Sequence, residues 1–282
     1  MSAALSAVPR AFGIVRSNPI LLVGAVLFGV IGLVGAVLSI IPLLGVVLAQ
    51  VLVLPVALVG LTEMTDSAAA DDDASLGDFA HGIADNAVSA IGAFALLFGA
   101  QLAIGITLTL AIVFIVGVSV TGAGPGTDPT STLTGGGAIG ALLFLVLIVA
   151  LVTLALVQQF LDVAVVVGDR GAVAALGEAK DILVEGPLSV LGYALLRFGI
   201  ILVAVGIPAA AAAGVGAVGA GRESGGLLAI AAVVLLLAGP VAIAVATAYH
   251  VAYYRTRRSD ELDDASPDGS AGRTTPSRDP LN

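Results

Sequence analysis

The residue type and position that most need explaining belong to Arg197, about ten residues inside an apolar run that begins near Pro187. On a helix that is roughly 15 Å of depth. A central arginine costs ~2.5–3.5 kcal/mol on membrane-insertion scales, so such residues face protein or water. The preceding apolar run is antiparallel to it and closes in Gln158, Gln159 and Asp162. An arginine side chain reaching back toward that end would meet them. The pattern predicts a buried polar cluster of Arg197 with Asp162 or Gln158, with Gln159 beside it. Three roles fit: a clamp between the two runs, a substrate or anion site, or simple snorkelling. The clamp is the preferred reading.

The remaining polar residues offer little chemistry. Gln50 and Gln101 are amides inside apolar runs, where interhelical hydrogen bonds are worth about 0.6–2 kcal/mol, and packing is their expected role. Glu63 belongs at an interface. His81 falls on an amphipathic stretch and His250 beside Tyr253 and Tyr254. Neither has a second histidine at metal-ligand spacing, so no metal site is expected. Asp71, Asp72 and Asp73 lack the spaced ligands, central Gly and terminal Glu of a calcium loop, and read as a solvated acidic loop. Cys is absent, which removes disulfides, thiol catalysis and Cys-based zinc sites. No P-loop, nucleophile elbow, zincin or dinucleotide motif occurs. Val166-Val167-Gly168-Asp169 lacks the first Gly of an intramembrane aspartyl-protease motif. The expectation is a non-enzyme without cofactor.

What positions these residues is a set of apolar segments. The chain is 59% hydrophobic and 11% charged, with mean hydropathy +1.12, whereas soluble domains carry roughly 25% charged residues. Several runs reach the roughly 20 residues that cross a ~30 Å hydrocarbon layer. Period-two alternation is absent, which argues against a barrel. The fold class is all-α and integral to a membrane.

A pattern recurs three times: residues 10–29, 78–99 and 177–199. Each is an amphipathic stretch, then a break, then an apolar run. Asn18-Pro19, Asn86-Ala87 and Gly186-Pro187 superpose without gaps, as do Gly24, Gly92 and Gly192. The first copy's amphipathic stretch carries Leu5, Val8, Phe12 and Val15 at helical spacing, the second Leu76, Phe79 and Ile83. The third places Val173, Leu176 and Leu183 on one side and Glu178, Lys180 and Asp181 on another. Six spans follow, near residues 19–41, 43–62, 87–120, 138–161, 187–213 and 226–254. Residues 121–137 read as a flexible linker, and a Gly-rich turn carries Arg222-Glu223. The first run is too long for a signal peptide's apolar core and no A-x-A site follows it, so it is expected to be retained.

The architecture is therefore six transmembrane helices arranged as three parallel repeats, each an interfacial amphipathic helix plus a two-span hairpin. The repeats cover about residues 5–62, 76–161 and 172–254 of a membrane domain at 1–258. A disordered acidic cytoplasmic tail is expected over 259–282. Parallel repeats differ from the inverted ones of many transporters. Small residues at every fourth position, such as Ala95-Gly99-Ala103 and Ala238-Ala242-Ala246, would let helices approach closely.

Arg10, Arg16, Arg170, Lys180, Arg255, Arg257 and Arg258 gather on one side and only Arg222 on the other. Both termini are thus expected in the cytoplasm, with Tyr253 and Tyr254 in an interfacial aromatic belt. The net charge is −9, Asp outnumbers Glu threefold, and Lys180 is the only lysine. That balance points to high-salt adaptation, and the scarcity of basic residues argues against nucleic-acid binding.

The stretch from Phe160 to Pro187 adds a resemblance. Phe160-x-Asp162 at a span's end, Gly168-Asp169-Arg170-Gly171, Ala174-Ala175-Leu176 and Ile182-Leu183 before Gly186-Pro187 resemble an uncharacterised family of six-helix haloarchaeal membrane proteins. That family is related to the membrane domain attached to some glycerophosphodiester phosphodiesterases. The resemblance spans about residues 8–255 and implies a six-helix fold. The family often has Ser-Trp where this chain has Ala179-Lys180. The phosphodiesterase catalytic domain is absent, so its activity does not transfer. The expected role is a scaffold or accessory subunit in the cell membrane, presenting amphipathic helices to the lipid bilayer or to a membrane-protein partner. The alternative is a small-solute transporter or channel using the Arg197 cluster.

Overall fold

The structure is a computed structural model and describes residues 2–70, 73–122, 129–221 and 225–264. Every element among them is helical. In chain order they are α1 (Ser2–Ser17), α2 (Ile20–Leu38), α3 (Leu44–Leu48), α4 (Leu54–Ala69) and α5 (Leu76–Gly122). There follow α6 (Pro129–Gln158), α7 (Leu161–Val166), α8 (Ala172–Glu185), α9 (Pro187–Ile201), α10 (Ile207–Gly221) and α11 (Gly225–Asp264). One π turn, Ala49–Val53, joins α3 to α4, and another, Leu202–Gly206, joins α9 to α10. Pro55 and Pro208 each follow a π turn by two residues. A proline removes the backbone bond to the fourth carbonyl before it, and widening the turn is one way to absorb that loss.

Five helices among the described residues are long and apolar enough to cross a membrane: Ile20–Leu38, Leu44–Ala69, Leu76–Val113, Pro187–Val215 and Ala229–Ser259. The fourth expected span falls on α6, where the apolar segment found is the shorter Leu142–Gln158. Large apolar side chains point away from the bundle along these helices. Val30, Leu33, Leu110, Leu145, Leu195 and Leu236 are all more than half exposed. Around an integral membrane protein that surface is what lipid tails cover.

The core lies at one end of the bundle. There α11 is buried at every position from Ala244 to Tyr254, as expected of a helix enclosed all round. It packs against α1, α2, α4 and α9. Small residues set how closely the helices approach. Gly82 of α5 faces α4 so tightly that a Cβ there would lie 2.5 Å from Glu63 Cβ and 2.8 Å from the Val59 carbonyl oxygen. Gly60 of α4 sits reciprocally against Phe79 of α5, where an added Cβ would be 3.0 Å from the Phe79 carbonyl oxygen.

The short helices turn their small residues inward. α1 buries Ala3, Ala4, Ala7 and Ala11 against the core, while Leu5 and Phe12 are 57% and 55% exposed. α8 buries Ala175, Ala179 and Ile182, with Val173 exposed. The expected apolar stripes are thus split: Leu5, Phe12, Leu76 and Val173 face outward, while Phe79 is buried and Val8, Val15, Ile83, Leu176 and Leu183 pack partly buried against the core, where alanines admit the closest backbone approach.

Three expectations need correction. The second amphipathic stretch is not a separate helix, since α5 runs unbroken from Leu76 through Asn86-Ala87 to Gly122. Copies one and three break where proline stands, and Ala87 leaves the backbone bond intact. The linker reading of residues 121–137 fails where α5 extends to Gly122 and α6 begins at Pro129; residues 123–128 lie outside the described part. The tail is helical to Asp264. Residues 265–282, Asp71-Asp72 and Arg222-Glu223 also lie outside it.

Candidate functional site

Asp162 is in the first turn of α7, just past the break at Gln159-Phe160 that ends α6. Leu161, Asp162, Val163, Ala164 and Val165 are all buried, so this short helix is a plug inside the bundle. A buried carboxylate must have its oxygens satisfied. Thr62 of α4 donates to Asp162 Oδ2 at 3.0 Å, and His250 Nε2 of α11 lies 3.1 Å from Oδ1. The other ring nitrogen of His250, Nδ1, is 2.6 Å from the Tyr193 hydroxyl of α9. Arg197, one turn further along α9, donates from Nη1 to that hydroxyl at 3.0 Å.

One assignment of hydrogens satisfies the whole row. Arg197 donates to Tyr193, Tyr193 O–H donates to Nδ1, and Nε2–H donates to an ionised Asp162, which also accepts from Thr62. The imidazole is then neutral, with one donor and one acceptor nitrogen. The network holds one anion and one cation. Burial opposes the charge on Asp162, but the hydrogen bond from His250, the charge of Arg197 and the Thr62 hydroxyl outweigh it and hold the carboxyl below the usual range.

Aromatic rings seal this row. Tyr193 stacks on Tyr249 and Tyr253 at centroid distances of 5.3 and 4.6 Å, and Phe160 tilts against Tyr193 at 5.1 Å. Tyr193, Tyr249, Tyr253 and His250 are each 0% exposed. Ser189 and Tyr253 share a hydrogen bond of 2.9 Å. The Tyr249 hydroxyl has no hydrogen-bond partner among the described residues.

The expected cluster is therefore distributed differently from its simplest form. Arg197 and Asp162 join the same row, but through Tyr193 and His250. Gln158 turns to α5, where Gln101 Nε2 donates to its Oε1 at 3.0 Å. Gln159 is partly buried at the α6 break and has no side-chain hydrogen bond among the described residues. Tyr253 and Tyr254 do not form a surface belt: they are 0% and 2% exposed.

Sequence reasoning missed Tyr193, His250 and Thr62 as members of the site. One signal was available. The chain has four tyrosines, and three of them fall within four residues of His250 on α11. Such a concentration of polar-tipped rings on an apolar helix is better explained by a shared interior than by a boundary. No group of three or more metal-ligating side chains occurs among the described residues.

Fold and site together define a helical membrane protein whose polar interior is a row of hydrogen-bonded side chains joining four helices at one end of the bundle. The chain belongs to the family described as a domain of unknown function, DUF7847, which matches residues 3–257. No curated protein matches the chain, and no solved structure does.

Proposed function

We propose that this protein is a non-enzymatic membrane scaffold or accessory subunit with six spans, both termini in the cytoplasm of the cell that carries it in its membrane. The observation that carries the reading is the closure of the buried row. Thr62, Asp162, His250 and Tyr193 are buried and hydrogen-bonded in series, and partly buried Arg197 ends the row with one N–H on Tyr193. A transport path needs polar groups that a solute can reach across the membrane. Here Asp162 of α7 and Arg197 of α9 are linked through His250 and Tyr193, with Thr62 of α4 on Asp162, which is what a clamp does.

Two further features support the finer picture. Helix breaks at Asn18-Pro19 and Gly186-Pro187 each place a short helix before an apolar one, in keeping with a repeated unit. Arg10, Arg170, Arg255 and Arg258 bond to groups around the buried end of α11 or the α7–α8 turn, and a cytoplasmic placement of that end agrees with the positive-inside rule. The kinship with haloarchaeal membrane proteins and with phosphodiesterase membrane domains belongs to the same proposal.

The test is reconstitution into liposomes with solute permeation followed by light scattering. A scaffold leaves permeation at the protein-free rate for ions and small neutral solutes. Permeation that disappears in Arg197→Leu establishes the transporter reading instead. Because the chain has no cysteine, Ser259→Cys and Arg222→Cys report topology cleanly. The first should react with an impermeant thiol reagent only in opened cells, the second in intact ones.

A further inference from the structure

A cavity of about 510 Å³ opens between α8 and the end of α11. Its two walls differ in charge. Glu178, Asp181 and Glu185 line it from α8, Arg170 from just before α8, and Tyr254, Arg257 and Arg258 from α11. Ala174 and Gly177 also line it, and their small size leaves the room. Small-molecule sites fall in the range of roughly 300–1,000 Å³.

Part of this charge is already engaged. Glu178 accepts from Arg170 Nε at 2.7 Å and from the Tyr254 hydroxyl. Arg258 commits Nη1 to the Val167 carbonyl oxygen at 3.1 Å, which leaves it further donors. Asp181 approaches Lys180 at 3.4 Å with its side chain 60% exposed, a weak pair in water. Among the described residues no ion pair joins Arg258 to Asp181 or Glu185. Asp181 and Glu185 are four residues apart and share one side of α8. Asp181 and Glu185 on one wall and Arg258 on the other therefore line one cavity without pairing with each other.

We propose that this cavity binds a zwitterion, its phosphate on Arg258 and its ammonium between Asp181 and Glu185. A simple anion would meet two carboxylates, and a simple cation would meet guanidinium groups. A dipolar ligand satisfies both walls. Guanidinium favours phosphate through paired hydrogen bonds. The opposed charges match the phosphoethanolamine type of headgroup. The candidate span on α11 runs to Ser259 and closes in Arg255, Arg257 and Arg258, while Val184 and Leu188 beside the cavity are 68% and 75% exposed. That combination marks the boundary between lipid tails and headgroups. The inference rests on the membrane reading above, and it is measured by binding rather than by permeation.

The full chain in mild detergent would be titrated calorimetrically with three probes: dihexanoyl phosphatidylethanolamine, dihexanoyl phosphatidylglycerol and free phosphoethanolamine. The ethanolamine lipid should bind at least tenfold more tightly than the glycerol lipid. Arg258→Gln, and separately the double variant Asp181→Asn/Glu185→Gln, should each weaken it tenfold or more. Free phosphoethanolamine binding with similar affinity assigns the site to a soluble zwitterion, and binding of the lipid alone assigns it to the bilayer; both support the dipolar site. Equal binding of the two lipids, or unchanged binding in the acidic double variant, overturns it. Should Arg258→Gln unfold the chain by releasing the Val167 carbonyl, the double variant at exposed positions still decides.

Discussion

Asp162 and Arg197 do not touch, yet they are opposite ends of one row of hydrogen bonds through His250 and Tyr193. The row crosses from α7 to α11 to α9, so separating its charges means separating helices. The ring stacking around Tyr193 excludes water from the middle of the row. Charge balance then depends on residues that are 35 positions apart and on different helices.

Arg197→Leu leaves Asp162 as the row's only charge and the Tyr193 hydroxyl without its donor. Leaving a buried polar group unsatisfied costs about 1–3 kcal/mol. Arg197 is only partly buried, so the loss should fall near the lower figure. Chemical unfolding in detergent followed by circular dichroism measures it. Stability equal to wild type would mean that Arg197 only snorkels.

Thr62→Val keeps the side-chain shape and removes the hydroxyl that Asp162 Oδ2 accepts from at 3.0 Å. A hydrogen bond to a charged group contributes about 1.5–3 kcal/mol, and the same unfolding measurement should register a loss of that size. No loss would show that Asp162 finds another donor, and would weaken the case for a fixed row.

Two tyrosines one helix apart should respond oppositely. Tyr193→Phe removes a hydroxyl that bridges Arg197 and His250, leaving buried groups unsatisfied at a cost of about 1–3 kcal/mol. Tyr249→Phe removes a buried hydroxyl that has no partner among the described residues, and should be neutral or stabilising. If Tyr249→Phe destabilises as much as Tyr193→Phe, the Tyr249 hydroxyl has a role the packing does not explain.

The sequence revealed the helical class because hydropathy over twenty residues is a sum, insensitive to which face points where. Arg197 and Asp162 stood out for the same reason: a charge among apolar residues is conspicuous whatever it touches. Faces were harder. In water, apolar periodicity identifies the buried side, but beside lipid Leu5 and Phe12 can stay outside while Ala7 and Ala11 pack inside. Tyr253 and Tyr254 suit a membrane boundary and an aromatic core equally by type, and only the tertiary position of α11 separates the two. His250 was hidden because its partners lie 57 and 88 positions away.

Helix spacing gives a paired test within α5. Gly82→Ala would place a Cβ 2.5 Å from Glu63 Cβ and 2.8 Å from a backbone oxygen of α4, and overpacking of this kind costs about 1–3 kcal/mol. Gly99→Ala meets nothing within 4 Å, so it should gain about 0.5–1 kcal/mol from helix propensity. Opposite signs in the two variants are expected from thermal unfolding. Equal effects would argue against the close α4–α5 contact.

The break between repeat copies can be moved by one residue type. Pro19 stands just before α2, and Pro187 is the first residue of α9, where a missing N–H costs nothing. Ala87 occupies the matching place inside the unbroken α5. Ala87→Pro removes an interior backbone bond and pushes the ring against the preceding turn, at about 3 kcal/mol or more. A kink there also displaces Gly82 from α4. Pro187→Ala, at a position already starting a helix, should cost under about 1 kcal/mol. Unfolding of both variants decides the matter: a tolerated Ala87→Pro would mean that α5 breaks at Asn86 in the membrane, as the other two copies do.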